Sequence, residues 1–349
     1  MTETEYPFVS IILLNYNGRR FSKYWKSIFY QDYPKSRYEI VFVDNGSCDG
    51  SEVDFVGQSR ESKEIKTRII KLEKNCGYSR ANNLGVAEAK GDYVILLSND
   101  IRVSINWLRK AIEALELDKD VAVAQSMMYK LDNASEADEM GNYIDVFGLN
   151  HSFPFSREVK EVSYCEGAVM IIRRRVIEEV GGLFDERYFM FYEDVDFCWR
   201  ARLMGYKVVV VPDSVVYHKR GGTVSGIIMK TDPKYVYCNT RNRLSTLFKN
   251  YSAINVIKFV PLAVALEAAI GTALIFSGLT GAAIACYRGI GIFLLELRRD
   301  AIKRAVVQQR RKVDDSFILQ SMIPAKDALR HLLSIAGSVR NEWTRQLHA

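Results

Sequence analysis

The chain has 349 residues and a formal net charge of +6 at pH 7, which leaves room for one large α/β domain and a smaller appendage. It has no internal repeat, no low-complexity run and no Cys-x-x-Cys spacing, so we expect its six cysteines to be reduced thiols of a cytosolic protein. Residues 298–349 hold 11 Lys and Arg against 5 Asp and Glu. No base-reading motif accompanies this basic segment, so we expect no nucleic-acid partner. The acidic first residues carry no secretory signal pattern.

Four apolar segments in the first hundred residues end in polar residues. They are Phe8–Leu14, Tyr38–Val43, Lys66–Leu72 and Tyr93–Leu97. Helix-like segments lie near residues 20–30, 50–60, 78–90 and 104–117. Strands that alternate with helices of this size predict right-handed βαβ crossovers and a doubly wound sheet. Open α/β sheets bind ligands at the carboxyl ends of their strands, so the polar residues predict a nucleotide pocket on one rim, built from Asn15, Asp44, Asn75 and Asp100.

A second acidic cluster follows an aromatic run at residues 188–192. Glu193, Asp194 and Asp196 begin a helix-like segment there, and a helix start favours negative charge. Aromatic neighbours partly desolvate a carboxylate, which raises its pKa toward a value useful for a base. A capped helix packed on an ordinary core gives the same pattern. The presence of a second polar site far upstream in the sequence, at Asp100, favours a functional role for this acidic cluster. We expect Asp196 to cap the helix or to pair with Arg200 at i,i+4.

Seven segments, in this order, resemble family 2 glycosyltransferases of the GT-A fold, in particular the rhamnosyltransferase-like branch. They are Val9–Gly18, Val43–Gly50, Asn75–Gly85, Gly91–Asp100, Gly167–Met170, Gly181–Gly205 and Tyr217–Gly222. The resemblance covers roughly residues 6–250. It implies a Rossmann-like, mostly parallel sheet flanked by helices, a nucleotide-sugar donor, a divalent cation and transfer with inversion at the anomeric carbon.

The resemblance also implies roles for individual residues. Asp194 would be the catalytic base that takes the proton of the acceptor hydroxyl. Asp100 would bind Mn²⁺ or Mg²⁺ together with His218, although a lone histidine is more often structural. Contacts with a UDP- or dTDP-sugar would come from Asn15, Asp44, Gly77, Asn83 and Asp100. Contacts with the acceptor would come from Glu166, Gly167 and Glu193.

One residue departs from the pattern of the family. Ser98 occupies the place of the first acid of the DxD-type motif, which puts a carboxylate contact with the donor ribose in doubt. This departure supports one alternative, a catalytically silent nucleotide- or carbohydrate-binding scaffold. A second alternative is a sugar-phosphate nucleotidyltransferase, but that class needs a Gly-rich, basic loop directly after the first strand, and residues 15–20 fit it poorly.

Residues 253–297 form an apolar region with basic residues on both flanks. Phe259–Leu279 has the length of a membrane span and one charge, Glu267. The uncharged turn at Ser277–Gly281 predicts a hairpin with both ends cytoplasmic, in which Glu267 and Arg288 lie at similar depth and can pair. Three arrangements of this hairpin are open: it spans the membrane, it inserts shallowly into the interface, or it packs against the domain or a second subunit.

We therefore predict three parts: a GT-A catalytic domain (1–250), a membrane-associating apolar helical hairpin (251–297) and a basic helical tail (298–349). Residues 219–232 would form a glycine-rich loop over the donor, with Lys219 and Arg220 near the diphosphate. The expected location is the cytoplasmic face of the cell membrane, and the expected acceptor is a glycan or a lipid-linked sugar. A homo-oligomer is an open alternative.

Overall fold

The computed structural model describes residues 5–139, 141–152, 156–219 and 231–328. Its strands are β1 (Val9–Asn15), β2 (Tyr38–Asp44), β3 (Lys66–Lys71), β4 (Tyr93–Ser98), β5 (Ile101–Val103), β6 (Val121–Lys130), β7 (Asn133–Glu139), β8 (Asn142–Ile144), β9 (Asn150–Ser152), β10 (Lys160–Glu161), β11 (Val169–Arg173) and β12 (Lys207–His218). Its helices are α1 (Ser22–Phe29), α2 (Ser51–Glu61), α3 (Tyr78–Glu88), α4 (Trp107–Leu117), α5 (Arg174–Glu179), α6 (Glu193–Leu203), α7 (Pro233–Asn250), α8 (Ala253–Phe276), α9 (Thr280–Leu295), α10 (Leu297–Arg310) and α11 (Asp315–Leu319).

The large sheet has the strand order β10-β12-β6-β11-β4-β1-β2-β3. The expected parallel arrangement is found where β4, β1, β2 and β3 lie side by side. In the other half, β11 runs antiparallel to both β4 and β6, so the sheet as a whole is mixed. An apolar run such as β11 has no sequence signal for its direction. The predicted α/β class is confirmed.

Both faces of the central strands are covered by apolar side chains. Alternate residues of β1, β2 and β4 point to opposite faces, as the two-residue period of a strand requires. One face packs against α3 and α6, with the strand residues Ile12, Val41, Val43, Val94 and Leu96. The other face packs against α1, α2 and α4, with Ile11, Leu13, Phe42, Ile95, Leu97, Trp25, Phe55 and Trp107. This double burial explains why the strands have near-continuous apolar sequences.

The C-terminal helices pack against the same core. Helix α7 begins with Pro233 after an Asp232 cap and ends at Asn250. Phe259 of α8 and Phe293 of α9 belong to the apolar cluster that also contains the strands. The segment of the predicted hairpin forms α8 and α9, and the inner face of this pair packs against α7. Residues 329–349 of the predicted tail and residues 220–230 of the predicted loop lie outside the described residues.

The predicted pairing of Glu267 with Arg288 is wrong. Glu267 of α8 pairs instead with Arg243 of α7, and its Oε2 accepts a hydrogen bond from Thr240 Oγ1 at 3.1 Å. Arg288 lies over the Tyr237 ring, 5.5 Å from its centroid. Glu267 and Arg243 are 5 % and 2 % exposed, so this ion pair is shielded from water and joins the hairpin to α7.

The basic residues of α10 are also used inside the protein. Five of the seven Lys and Arg residues between positions 298 and 312 bind carboxylates or main-chain carbonyls; Arg299, which pairs with Glu296, stays exposed, whereas the other four are not free to contact an anionic surface. Their partners are Asp185 for Lys303, the Phe248 carbonyl for Arg304, the Glu178 and Glu179 carbonyls for Arg310, and Asp315 and the Asn250 carbonyl for Arg311.

The outer face of the hairpin is apolar and exposed. Helix α8 is the one described helix that is long and apolar enough by itself to cross a membrane, and 28 % of its most apolar stretch is buried. Core helices of soluble proteins pass the same test of length, but they are mostly buried. The exposed side chains on α8 and α9 include Ile254, Ile257, Leu262, Phe276, Ile284, Leu294 and Leu295.

Candidate functional site

The predicted rim exists, and Asn15 lies at its centre. The register pairs Asn15 with Asp44 and Leu14 with Ser98, which brings the ends of β1, β2 and β4 to one edge. Asn15 is fully buried, and its Nδ2 donates to Asp44 Oδ1 at 3.2 Å and to Ser51 Oγ at 2.8 Å. Its Oδ1 accepts from Asn99 Nδ2 at 2.9 Å. Asn15 therefore holds Asp44 and the residues around Asp100 in a fixed arrangement.

Gly77 and Asn83 connect α3 to the segment before α6. Gly77 has φ of +90°, and a Cβ there would lie 2.5 Å from the Phe189 carbonyl oxygen. This close approach lets Tyr78 N donate to Phe189 O at 2.6 Å. Asn83 Nδ2 donates to Phe184 O at 3.0 Å, and Asn83 Oδ1 accepts from Phe184 N at 3.1 Å. These contacts are structural, and the contacts of Gly77 and Asn83 with a donor stay predictions.

His218 lies between two carboxylates. Its Nε2 is 3.4 Å from Asp100 Oδ2, and its Nδ1 is 3.1 Å from Asp138 Oδ2. Burial alone lowers the pKa of His218, but the bonds to the two carboxylates outweigh this effect and raise the pKa to about 10. The Asp100–His218 pair of the sequence prediction is thus in contact.

The arrangement of Asp100, His218 and Asp138 fits a divalent cation. Two ligands about 2.1 Å from one octahedral ion lie about 3 Å apart, close to the separation of His218 Nε2 and Asp100 Oδ2. Asp138 faces the other ring nitrogen and would hold the proton on Nδ1, so that Nε2 could bind the metal once the cation displaces the Nε2 proton. The described residues contain no group of three or more His, Cys, Asp or Glu arranged around one ion. An ion on this pair would complete its coordination with phosphate oxygens and water, as Mg²⁺ commonly does.

Asp194 lies in the first turn of α6, partly exposed to solvent. Its Oδ2 accepts from Gly167 N at 3.1 Å, and its Oδ1 accepts from Val195 N at 2.8 Å. Burial raises the pKa of Asp194 to about 6, against the lowering effect of these two N–H groups, and the Glu166 carboxylate adds to the rise. A carboxylate with this pKa is ionised at neutral pH and is a stronger base than an ordinary aspartate.

The predicted acceptor residues adjoin Asp194. Gly167 supplies the N–H that orients it, and Glu166 acts electrostatically on both Asp194 and His218, so it links the two parts of the site. Glu193 is 6 % exposed, and its Oε2 has no hydrogen-bond partner among the described residues. Burial and the neighbouring Asp194 raise the pKa of Glu193 well above its usual range, which favours the neutral acid. The expected pair of Asp196 with Arg200 is confirmed, at 2.9 Å.

The turn before α6 is strained. Phe191 and Tyr192 have φ of +70° and +66°, in the left-handed region that aromatic residues seldom occupy. Each such residue costs about 1–3 kcal/mol and persists only where its surroundings hold it in place. The turn sets the direction in which α6 starts, and so the position of Asp194.

Sequence reasoning missed two residues of the site. Asp138 lies on β7 within the acidic segment 133–139, which resembles a solvated loop and has no signal of a ligand sphere. Asn99 lies between Ser98 and Asp100, and the sequence analysis gives it no role. Its side-chain Nδ2 donates to Asn15 Oδ1, and its main-chain carbonyl accepts from Trp25 Nε1 at 2.7 Å. The bond to Asn15 needs a side-chain donor, which a carboxylate does not provide.

The model of the family described as "Glycosyl transferase family 2" matches residues 10–181, close to half of the chain. Glycosyltransferase AglE of Haloferax volcanii is 26 % identical over 219 residues, 62 % of this chain and 68 % of that protein. An N-acetylglucosaminyl-diphospho-decaprenol L-rhamnosyltransferase of Mycobacterium tuberculosis is 27 % identical over 209 residues, 52 % of this chain and 66 % of that protein. The chain spans only 21 % of a third relative, an uncharacterized protein of Sinorhizobium fredii that is 27 % identical over 194 residues.

Solved structures support the fold. The mannosyltransferase PcManGT of Pyrobaculum calidifontis, in complex with GDP-Man and Mn²⁺, has a TM-score of 0.53 at 19 % identity, over 88 % of this chain and 87 % of that one. GalNAc-T7 with UDP, GalNAc and Mn²⁺ has a TM-score of 0.54 at 18 % identity, over 66 % of this chain and 48 % of that one. The family model and the sequence relatives place the chain in glycosyl transferase family 2 over residues 10–181, and the solved structures support the GT-A fold.

Proposed function

We propose that the protein is an inverting glycosyltransferase that moves a sugar from a nucleotide-sugar donor to a hydroxyl of a glycan or lipid-linked acceptor. The observation that carries this proposal is the Asp194 carboxylate. It is oriented by Gly167 N, raised in pKa by burial, and linked through Glu166 to the Asp100–His218 pair. Direct sugar transfer requires a base near a diphosphate site, and the influence of Glu166 on both groups supports this arrangement.

In the proposed reaction, Asp194 takes the proton of the acceptor hydroxyl while that oxygen attacks the anomeric carbon. The bond from the anomeric carbon to the diphosphate oxygen breaks at the same centre, and the electron pair leaves with the nucleoside diphosphate. Attack from the face opposite the leaving group inverts the configuration, so one carboxylate suffices and no covalent sugar–enzyme bond is needed. Glu193, as a neutral acid, would face the acceptor side as a positioning group.

The donor would lie along the rim of the sheet. Asp44, held by Asn15, can accept a hydrogen bond from the imide N–H of uracil or thymine. Asp100 and His218 would hold a divalent cation, which when bound offsets the charge that develops on the departing diphosphate. Solved relatives of this fold carry UDP or GDP-Man together with Mn²⁺, which supports a nucleotide-sugar and a cation for this chain.

Two observations bear on the alternatives. A silent scaffold has no need for a carboxylate whose pKa is raised to about 6 and which two N–H groups orient. A nucleotidyltransferase would need basic side chains in the loop after β1. In that loop, Arg19 Nε lies 3.5 Å from Asp54 Oδ2, and the main-chain N–H of Arg19 donates to Asp49 Oδ2. Both observations favour sugar transfer.

The test is nucleoside diphosphate release from a panel of UDP-, dTDP- and GDP-sugars with a lipid-linked acceptor. We expect Mn²⁺-dependent release in wild type, a severe loss for Asp100→Ala and a smaller loss for His218→Ala, because Asp100 contributes a formal charge. Titration calorimetry of donor binding with and without Mn²⁺ should give the same order. Asp32→Ala, which removes an exposed carboxylate paired with Arg109, is the matched control and should keep the metal dependence. Unchanged metal dependence in Asp100→Ala would mean that the cation binds elsewhere.

We also propose that the hairpin holds the enzyme on the cytoplasmic face of the cell membrane, near a lipid-linked acceptor. Support comes from its exposed apolar outer face. Because its inner face packs against α7, and the Arg243–Glu267 pair joins the two, we favour shallow insertion over spanning. Most basic residues of α10 are engaged within the protein, so apolar burial should dominate over charge.

We expect the full-length protein to float with phosphatidylethanolamine–phosphatidylglycerol vesicles and to stay bound in high salt, since apolar burial is not screened. The double variant Ile254→Glu/Ile257→Glu places two charges on the outer face and should release the protein. Leu117→Glu is the control, because Leu117 is equally exposed but lies on α4. A wild-type protein that stays soluble without detergent would remove the support for a membrane acceptor.

A further inference from the structure

The strained turn at Phe191–Tyr192 is held by contacts with residues that are distant in the sequence. Tyr192 OH donates to Gly148 O at 2.7 Å, and the Phe191 ring packs edge-to-face on Tyr235 of α7. These contacts fix the side chains. They do not fix the main-chain carbonyls, whose direction distinguishes a left-handed turn from an ordinary one.

Asn242 of α7 supplies the main-chain contacts. Its Nδ2 donates to Met190 O at 3.0 Å and to Phe191 O at 2.9 Å, so one amide group holds two successive carbonyls. Asn242 is 1 % exposed, so these bonds are shielded from bulk solvent. An amide is required here, because the two carbonyls need a donor and the other amide atom must accept.

Arg241 fixes the orientation of the Asn242 amide. Its Nη1 donates to Asn242 Oδ1 at 3.0 Å and to Arg187 O at 2.9 Å. The oxygen of the amide is therefore directed to Arg241 and its nitrogen to the turn. Arg241 also pairs with Glu296, at the end of α9, so the hairpin and the turn share one residue.

We propose that Asn242 is a positioning residue for the transfer reaction: its amide holds the left-handed turn that places Asp194 against the acceptor hydroxyl. The inference rests on the proposed function, since it takes Asp194 as the base. The turn and Asp194 are two residues apart, so a released turn shifts the first turn of α6 directly. A misplacement of about 1 Å can cost about 10²-fold in rate. Asn15, Asp44 and Asp100 on the rim of β1, β2 and β4 make none of these contacts, and the contact of Gly77 is with Phe189, before the carbonyls that Asn242 holds, so we expect donor binding to be kept.

The experiment measures kcat and KM with the most active donor of the panel, and calorimetric binding of UDP, dTDP and GDP with Mn²⁺. Asn242→Ala removes the amide. Asn242→Asp keeps its shape and the acceptor for Arg241 but removes both donated bonds. Asn239→Ala is the matched control, because Asn239 lies one turn earlier on α7 and, among the described residues, its side chain donates to Tyr235 O of its own helix, at 3.1 Å.

We expect both Asn242 variants to lose about 10²-fold in kcat, with donor KM and nucleotide binding unchanged, while Asn239→Ala behaves as wild type. A kcat near wild type in a folded Asn242 variant would overturn the inference, and so would a loss that appears only in donor KM. If neither variant folds, Asn242 is a residue required for stability, and the inference that it positions Asp194 is overturned as well. Asp194→Asn distinguishes failure of the proposed function from failure of this inference. Full activity in that variant would reject Asp194 as the base and with it the proposed function. An inactive Asp194→Asn together with a fully active Asn242→Ala would reject only the positioning role of Asn242.

Discussion

Asp194→Asn should lower the transfer rate by about 10²–10⁴, the usual contribution of general-base catalysis, and should leave donor binding near normal. The substitution keeps the size of the side chain and an oxygen that can accept from Gly167 N, so the position of the helix should not change. It removes the group that takes the proton. Turnover with the best donor and calorimetric binding of that donor together measure both expectations.

The control is Glu186→Gln, which removes an exposed carboxylate from the loop before α6 and should retain activity. The wild-type rate should also fall as the pH drops through about 6, because burial raises the pKa of Asp194 to that value and its protonated form cannot accept a proton. Asp194→Asn should not show that fall in its residual rate. Near wild-type transfer by Asp194→Asn would exclude this residue as the base.

Glu267→Ala should lower the free energy of unfolding by about 3–5 kcal/mol, the cost of leaving one partner of a buried ion pair without the other. Arg243 would keep its charge at 2 % exposure, and its Nη1 already has no hydrogen-bond partner among the described residues. Denaturant unfolding in a mild detergent, followed by the far-ultraviolet circular dichroism signal, measures the change.

Two further variants test this account of the pair. Glu61→Ala removes a pair with Lys26 in which both side chains are more than half exposed, and should cost about 1 kcal/mol or less. The double variant Arg243→Met/Glu267→Leu replaces the pair by apolar groups and should recover most of the loss, as such replacements often do. A Glu267→Ala variant no less stable than Glu61→Ala would show that the pair does not hold the hairpin to α7.

The sequence predicted the rim because the signals involved are local. The runs ending at Asn15, Asp44 and Ser98 are buried on both faces, and their carboxyl ends meet at one edge as parallel strands require. The Asp196–Arg200 pair was predictable for the same reason, since residues four apart lie on one face of a helix.

The remaining features of the site depend on contacts between distant segments. Asp138 and His218 are in contact although they are 80 residues apart in the sequence, and Asn242 and Phe191 are in contact at a separation of 51 residues. The direction of β11 was also unpredictable, because an apolar strand carries no mark of its direction. The prediction that Glu267 pairs with Arg288 was wrong because it treated the hairpin as isolated, whereas Arg243 of α7 lies next to Glu267.

Apolar periodicity and helix-terminal charge act over a few residues, so the sequence specifies the alternation of strands and helices in the first 117 residues, the polar rim and the acidic start of α6. Packing between distant segments selects which buried charges pair, which amide holds the turn before Asp194, and which face of the hairpin stays exposed. The energy of a buried polar group depends on the partner a few ångströms away. That partner is brought there by the packing of the whole chain.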